Sequence, residues 1–192
     1  EKYYAPDLES RYDCDKRARA EPLLQAFREA LDVCAKATQP NLFMAHPPAL
    51  EPWLKEQLSE ARQRRQVCEV QLERLDKARK RKYEIGSRRA EANSELLCAQ
   101  IRLERYFLKG AEESIESILA KPLPAFQGGQ VVELRINEDP NGKELERLHQ
   151  EALKSVQELG EHHPKTPWEA WARLALRRDL KARRQIHIQD VR

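Results

Sequence analysis

The chain has 192 residues, of which 35% are charged and 40% apolar, with 11 prolines but only 6 glycines. That length suits one domain with a real core or two small helical units, and the composition favours long solvent-exposed helices over a buried sheet. No run comes near the roughly 18–20 apolar residues of a membrane-spanning helix, so insertion through such a helix is excluded.

The chain starts at Glu1 with no methionine and no apolar signal segment. It reads as a fragment or processed form, which leaves the compartment open. The formal net charge of +3 is divided into blocks: −2 over 1–59, +6 over 60–110, −6 over 111–164 and +5 over 165–192. Opposite blocks of similar size are expected to neutralise each other across a fold. A nucleic-acid protein normally shows one large unbalanced excess.

Tyr3, Tyr4 and Pro6 open a charged stretch reaching about Arg19. Pro22 suits a first helical turn, and Leu23, Leu24, Phe27, Leu31 and Cys34 follow at steps of three and four, predicting an amphipathic helix to about Ala37. Pro40, Pro47 and Pro48 make 39–50 a connection. Pro52 opens a long helix ending near Ile85. Its Leu54, Leu58, Ala61, Cys68, Leu72 and Leu75 form a heptad seam with Arg65 in the remaining slot. Arg65 has two readings there: its head reaches water while its stem packs, or it pairs with an acid on a neighbouring helix.

Gly86 and Ser87 interrupt the pattern, and a second long helix runs through Ala90, Leu97, Ile101, Leu108, Ile115 and Ile118. Two such helices around a short break predict an antiparallel hairpin, with one kinked rod as the alternative. Pro122, Pro124, Gly128, Gly129 and Pro140 break the helical pattern over 121–141. Val131, Val132, Leu134 and Ile136 read as one strand there, whose available partner is Ile186-His187-Ile188. A further helix carries Leu145, Leu148, Ala152, Val156 and Leu159 on one stripe, with Gly160 placed to end it. Thr166-Pro167-Trp168-Glu169 has the form of a capping box with proline at the first helical position. That last helix runs through Trp171, Leu174, Ala175 and Leu176 into a basic end, with Trp171 read on the face of Leu174 and Ala175.

Catalytic signals are thin. The chain lacks a Gly-rich phosphate loop, a His-Glu-x-x-His helix and a Gly-x-Ser-x-Gly turn. His162 and His163 are adjacent, point in divergent directions, and have no carboxylate or cysteine at ligand spacing. Glu146 and His149 make one Glu-x-x-His string, but a four-helix carboxylate metal site needs a second copy. Cys14, Cys34, Cys68 and Cys98 have no zinc or redox spacing and read as small core residues. No catalytic, cofactor-binding or metal-binding residues are therefore assigned. The candidate interaction residues are the cations Lys77, Arg79, Lys80, Arg81, Lys82, Arg88 and Arg89. They suit phosphates or an acidic protein partner, although six consecutive helical positions spread around the whole circumference.

Two motifs carry a resemblance. Arg89-Ala90-Glu91-Ala92-Asn93, continuing to Leu96, Ala99-Gln100 and Arg102, and His163-Pro164-Lys165-Thr166-Pro167-Trp168, continuing to Ala172 and Leu176-Arg177, stand in order. Together they resemble the helical C-terminal region of large bacterial proteins that carry a von Willebrand factor A domain upstream, over roughly residues 60–180. The resemblance implies an interaction region with no catalytic motif. The tail departs from the family's Pro-Leu-Gly-Trp-like ending, reading Gln185-Ile186-His187-Ile188, and Glu91 and Ser94 stand where aromatics are common. The Asp-x-Ser-x-Ser metal-adhesion motif of the A domain is absent, so its ion is not assigned to this chain. Residues 142–184 also look like a degenerate tetratricopeptide unit, which has to dock on the long helices to bury its face.

The expected fold is thus an all-α helical bundle built on a long antiparallel hairpin, forming one domain over 1–192. Its possible subdivision is a long-helix bundle at 1–120, an extended connector at 121–141 and a helix-turn-helix at 142–192. The expected function is a non-enzymatic helical scaffold or protein–protein interaction module, working with a protein partner or by self-association within a larger protein or assembly. The alternative is a basic helical nucleic-acid-binding protein using 77–89. A hydrolase stands third.

Overall fold

The structure, a computed structural model, describes residues 50–80, 88–121, 130–136, 142–177 and 184–190, with side chains of 78–80 and of the two strands excluded. The expected helix at 22–37, the connection at 39–49, Cys14, Cys34, Arg81 and Lys82 lie outside the described residues. The architecture is a helical bundle. In chain order its elements are α1 (Leu50–Lys80), α2 (Arg88–Leu119), β1 (Gln130–Ile136), α3 (Lys143–His162), α4 (Pro167–Arg177) and β2 (Arg184–Asp190).

Helix α1 begins two residues before the expected proline. Pro52 sits in its first turn, where no intrahelical N–H is lost, and Glu51 places a negative charge at the positive end of the helix dipole. Every apolar seam residue from Leu54 to Leu75 is buried. Leu50, Leu54 and Leu58 at the start of α1 pack with Ile115 near the end of α2. Arg62 pairs with Glu116 and Arg65 with Glu112, so the two helices lie side by side and antiparallel. This side-by-side packing excludes one continuous rod. The turn that would close them into a hairpin falls in 81–87, outside the described residues.

Helix α2 is buried on two sides, which a single expected stripe did not anticipate. Its Ile115 meets α1, whereas Ala99 and Leu103 pack with Ala152, Val156 and Leu159 of α3 and Ala172 of α4. Tyr106 joins Leu145 and Leu148 in a further cluster and stacks on the His149 ring at 4.9 Å between centroids. His149, the histidine of the Glu-x-x-His string, is therefore a buried packing residue. All five residues of the expected α3 stripe are buried.

Two expectations about α3 and α4 need correction. Gly160 does not end α3, which continues to His162. A Cβ at Gly160 would lie 3.4 Å from the Ala172 Cβ, so the glycine allows close approach of α4. On α4 the buried face is Ala172, flanked by half-buried Trp168, Trp171 and Ala175, while Leu174 is 58% exposed. The four inward positions recur at steps of three, one and three, as one helix face requires. Leu174 stands at the edge beyond them.

The strands β1 and β2 pair antiparallel, with Val132 opposite Ile188 and Leu134 opposite Ile186. They form a two-stranded ribbon added to the helices. Among the described residues, no helix is long and apolar enough to cross a membrane.

Candidate functional site

Of the candidate cations, Lys77, Arg79, Lys80, Arg88 and Arg89 are described and stand at one end of the antiparallel pair, whereas Arg81 and Lys82 lie outside the described residues. Lys77 is exposed near the end of α1, and its ion pair with Glu73 is long, at 3.8 Å, between two exposed side chains. Arg79 and Lys80 complete the last turn of α1. Positive charge is favourable there, at the negative end of the helix dipole. Arg88 and Arg89 are exposed at the start of α2, where the dipole opposes them. Among the described residues no acidic side chain pairs with either.

The cations of the bundle body behave differently. Between α1 and α2, Arg64 reaches Glu104 at 2.8 Å and Arg65 reaches Glu112 at 2.7 Å. Between α2 and α3, Arg105 pairs with Glu151, Arg102 donates to Ser155 Oγ at 2.6 Å, and Lys109 lies 3.6 Å from Glu144. Arg62, Arg65, Arg105 and Lys109 of the positive block at 60–110 thus each pair with a glutamate of the negative block at 111–164. Arg65 resolves in favour of an ion pair: Nε donates to Glu112 and Nη1 to Glu69, each at 2.7 Å. The Glu112 hydrogen bond is the main reason that the Arg65 guanidinium holds its proton above the ordinary arginine range, against the opposing cost of burial.

A second polar cluster stands where the α3–α4 turn meets α2. Trp168 Nε1 donates to Asn93 Oδ1 at 3.0 Å, which ties together the two sequence motifs. Two residues after Asn93, Glu95 is buried on α2. His162 Nδ1 lies 3.0 Å from Glu95 Oε2, and His163 Nε2 approaches the same oxygen at 3.3 Å. His163 is buried against Trp168, with ring centroids 6.2 Å apart.

The carboxylate that sequence spacing could not supply to the two histidines comes from 67 residues upstream. The imidazole centroids are 6.3 Å apart at 82° between planes, and each ring brings one nitrogen within 3.3 Å of Glu95 Oε2. Among the described residues no group of three or more His, Cys, Asp or Glu could hold a metal ion. Cys68 and Cys98 are buried thiols.

The turn itself is held by local bonds. Lys165 adopts a left-handed conformation, with φ 59°, which costs a non-glycine side chain. Thr166 Oγ1 donates to His163 O at 2.5 Å and accepts from Glu169 N at 3.4 Å. The capping box is shifted by one residue, because the Glu169 carboxylate accepts from Lys165 N–H and not from Thr166 N–H. That backbone bond, aided by Arg173, holds the Glu169 carboxyl below its usual range.

Asn93, Glu95 and the two histidines were not assigned as a site from the sequence. Asn93 and Trp168 were visible only as motif letters, and nothing local placed Glu95 beside His163. No protein-family model matches the chain, and no curated protein or solved structure matches it.

Proposed function

We propose that this protein is a non-enzymatic helical scaffold or protein–protein interaction module, working as part of a larger protein or assembly. One observation carries this reading: the half-buried polar side chains join helix to helix. Arg65–Glu112, Arg105–Glu151, Trp168–Asn93 and the His162–Glu95 pair each bridge two helices. Groups occupied in this way fix the spacing of helix surfaces, which is what a presenting surface needs. The resemblance to the helical region of von Willebrand factor A proteins supports the same reading. So does the likeness of the α3–α4 pair to a tetratricopeptide unit, which binds by its surface.

Purification without a tag, through ion exchange and gel filtration, tests the proposal. The expected result is a second protein in fixed ratio or a defined oligomer. A lone monomer throughout would contradict it. A nucleic-acid component in place of protein would favour the alternative use of 77–89.

A further inference from the structure

Resting on the scaffold reading, we propose that the outer face of α1 is a self-association surface, on which a second copy of this chain docks antiparallel about a two-fold axis at Val67.

The buried seam of α1 from Leu54 to Leu75 is turned toward α2. At about 100° per residue, Glu56, Glu60, Gln63, Val67, Val70, Arg74 and Lys77 fall in one stripe on the other side of the helix. All of them are exposed. Val67 and Val70, at the middle of the stripe, are 41% and 43% exposed. Branched apolar side chains there help neither the helix nor its solvation. The stripe is acidic toward the start of α1 and basic toward its end. Glu60 and Arg74 lie well inside the helix, beyond the first and last turns where the dipole selects charge.

That order is self-complementary. Arg74 and Glu60 stand seven residues either side of Val67, Val70 and Gln63 three and four, and Lys77 and Glu56 ten and eleven. A two-fold axis at Val67 therefore lays Val67 on its own copy, Val70 beside Gln63, Arg74 beside Glu60 and Lys77 beside Glu56. A parallel pair would set like charges against each other instead. Glu60 lies 3.9 Å from Arg64 and Lys77 lies 3.8 Å from Glu73, and Arg74 also interacts within its own chain. All three side chains stay exposed nonetheless, within reach of a second copy.

The acidic half of the stripe repels a nucleic-acid backbone or an acidic peptide, and the basic half repels a basic one. A copy carrying the same stripe reversed matches both halves. With two valines per chain as its apolar centre, the contact is small, and the charges set its register and its salt dependence.

Analytical ultracentrifugation of the full chain over a concentration series, at low and high salt, tests the proposal. E60R or R74E sets like charges opposite each other twice across the axis, and E60R/R74E restores opposite charges in reverse order. V67E brings two carboxylates together at the axis. L174E adds the same charge at exposed Leu174 on α4. Thermal melts check that the variants fold, and E60R and V67E carry the test independently of the contact Arg74 makes within its chain.

The wild-type chain should show a monomer–dimer equilibrium loosened by salt. E60R and R74E should each weaken it by about tenfold or more, and E60R/R74E should return to within about threefold of wild type. V67E should be monomeric, and L174E should differ from wild type by less than about twofold. A monomeric wild type, a double variant no better than the single ones, or a dimer that V67E leaves intact would overturn the proposal. If the wild-type chain is monomeric alone but holds a different protein in fixed ratio, self-association falls and the scaffold reading stands. A dimer indifferent to V67E has the same meaning, with another face carrying it. A chain that stays monomeric and holds no partner contradicts both.

Discussion

Arg65 of α1 and Glu112 of α2 form an interhelical ion pair in the middle of an otherwise apolar seam, with the Glu112 side chain 4% exposed and that of Arg65 24% exposed. Glu112 depends on Arg65 more than the reverse, because Arg65 retains Glu69 and some water. Replacing Arg65 by leucine fills the seam but leaves a buried carboxylate without its cation. We expect Arg65→Leu to cost about 2–3 kcal/mol in urea unfolding, below the full range for a buried pair because the guanidinium is partly solvated. Arg65→Leu/Glu112→Leu should recover most of that loss or exceed wild type, since a packed apolar pair often replaces a buried ion pair without penalty. A double variant no better than the single one would contradict the pairing.

Trp168 and Trp171 both lie on the inner face of α4, but only Trp168 donates to Asn93. Trp168→Phe keeps most of the packing and removes the donor, so its expected cost is about 1 kcal/mol. Trp171→Ala should cost about 2–3 kcal/mol, less than a fully buried aromatic because the side chain is half-exposed. Thr166→Ala should cost about 1 kcal/mol, the value of a lost cap. The order is measured by chemical denaturation, with Trp171 expected above Thr166. An unchanged Tm in Trp171→Ala together with lost association would make this tryptophan a binding hot spot.

Glu169 supplies a pH dependence. Its folded-state carboxyl is held below the usual range, first by the Lys165 N–H bond and then by Arg173. A lowered carboxylate contributes stability that is present above its unfolded pKa and lost as pH falls through the folded value. The Tm difference between wild type and Glu169→Gln should therefore be largest near neutrality and shrink in acid. A difference independent of pH would point to side-chain packing alone.

Gly160 separates two roles of glycine. Alanine gains helix propensity but brings its Cβ to 3.4 Å from Ala172, so Gly160→Ala should change stability by less than about 1 kcal/mol. Gly160→Leu should cost about 1–3 kcal/mol by forcing α4 away from α3. Thermal unfolding of both variants checks this. Equal tolerance of both would mean that α4 does not pack closely there.

The seam of α1 was legible because its repeat is strict from Leu54 to Leu75, and a strict repeat survives any tertiary context. The same repeat marked Arg65 as an exception. Its partner was not legible, because Glu112 lies 47 residues on and helix register is set by packing. Helix α2 misled because its apolar residues serve two neighbours, which blurs a single stripe. On α4, eleven residues with apolar side chains on several sides allow more than one orientation, and the burial of Ala172 decided against Leu174. The basic stretch was legible as charge. That Arg88 and Arg89 are exposed at the adverse end of a helix required the structure.

The scaffold reading is tested most directly by native mass spectrometry of the purified chain across a wide concentration range. The expected result is a single defined species larger than one chain, either an oligomer or a fixed-ratio complex, that dissociates only at the lowest concentrations. A monomer at every concentration, with no partner bound, would contradict it.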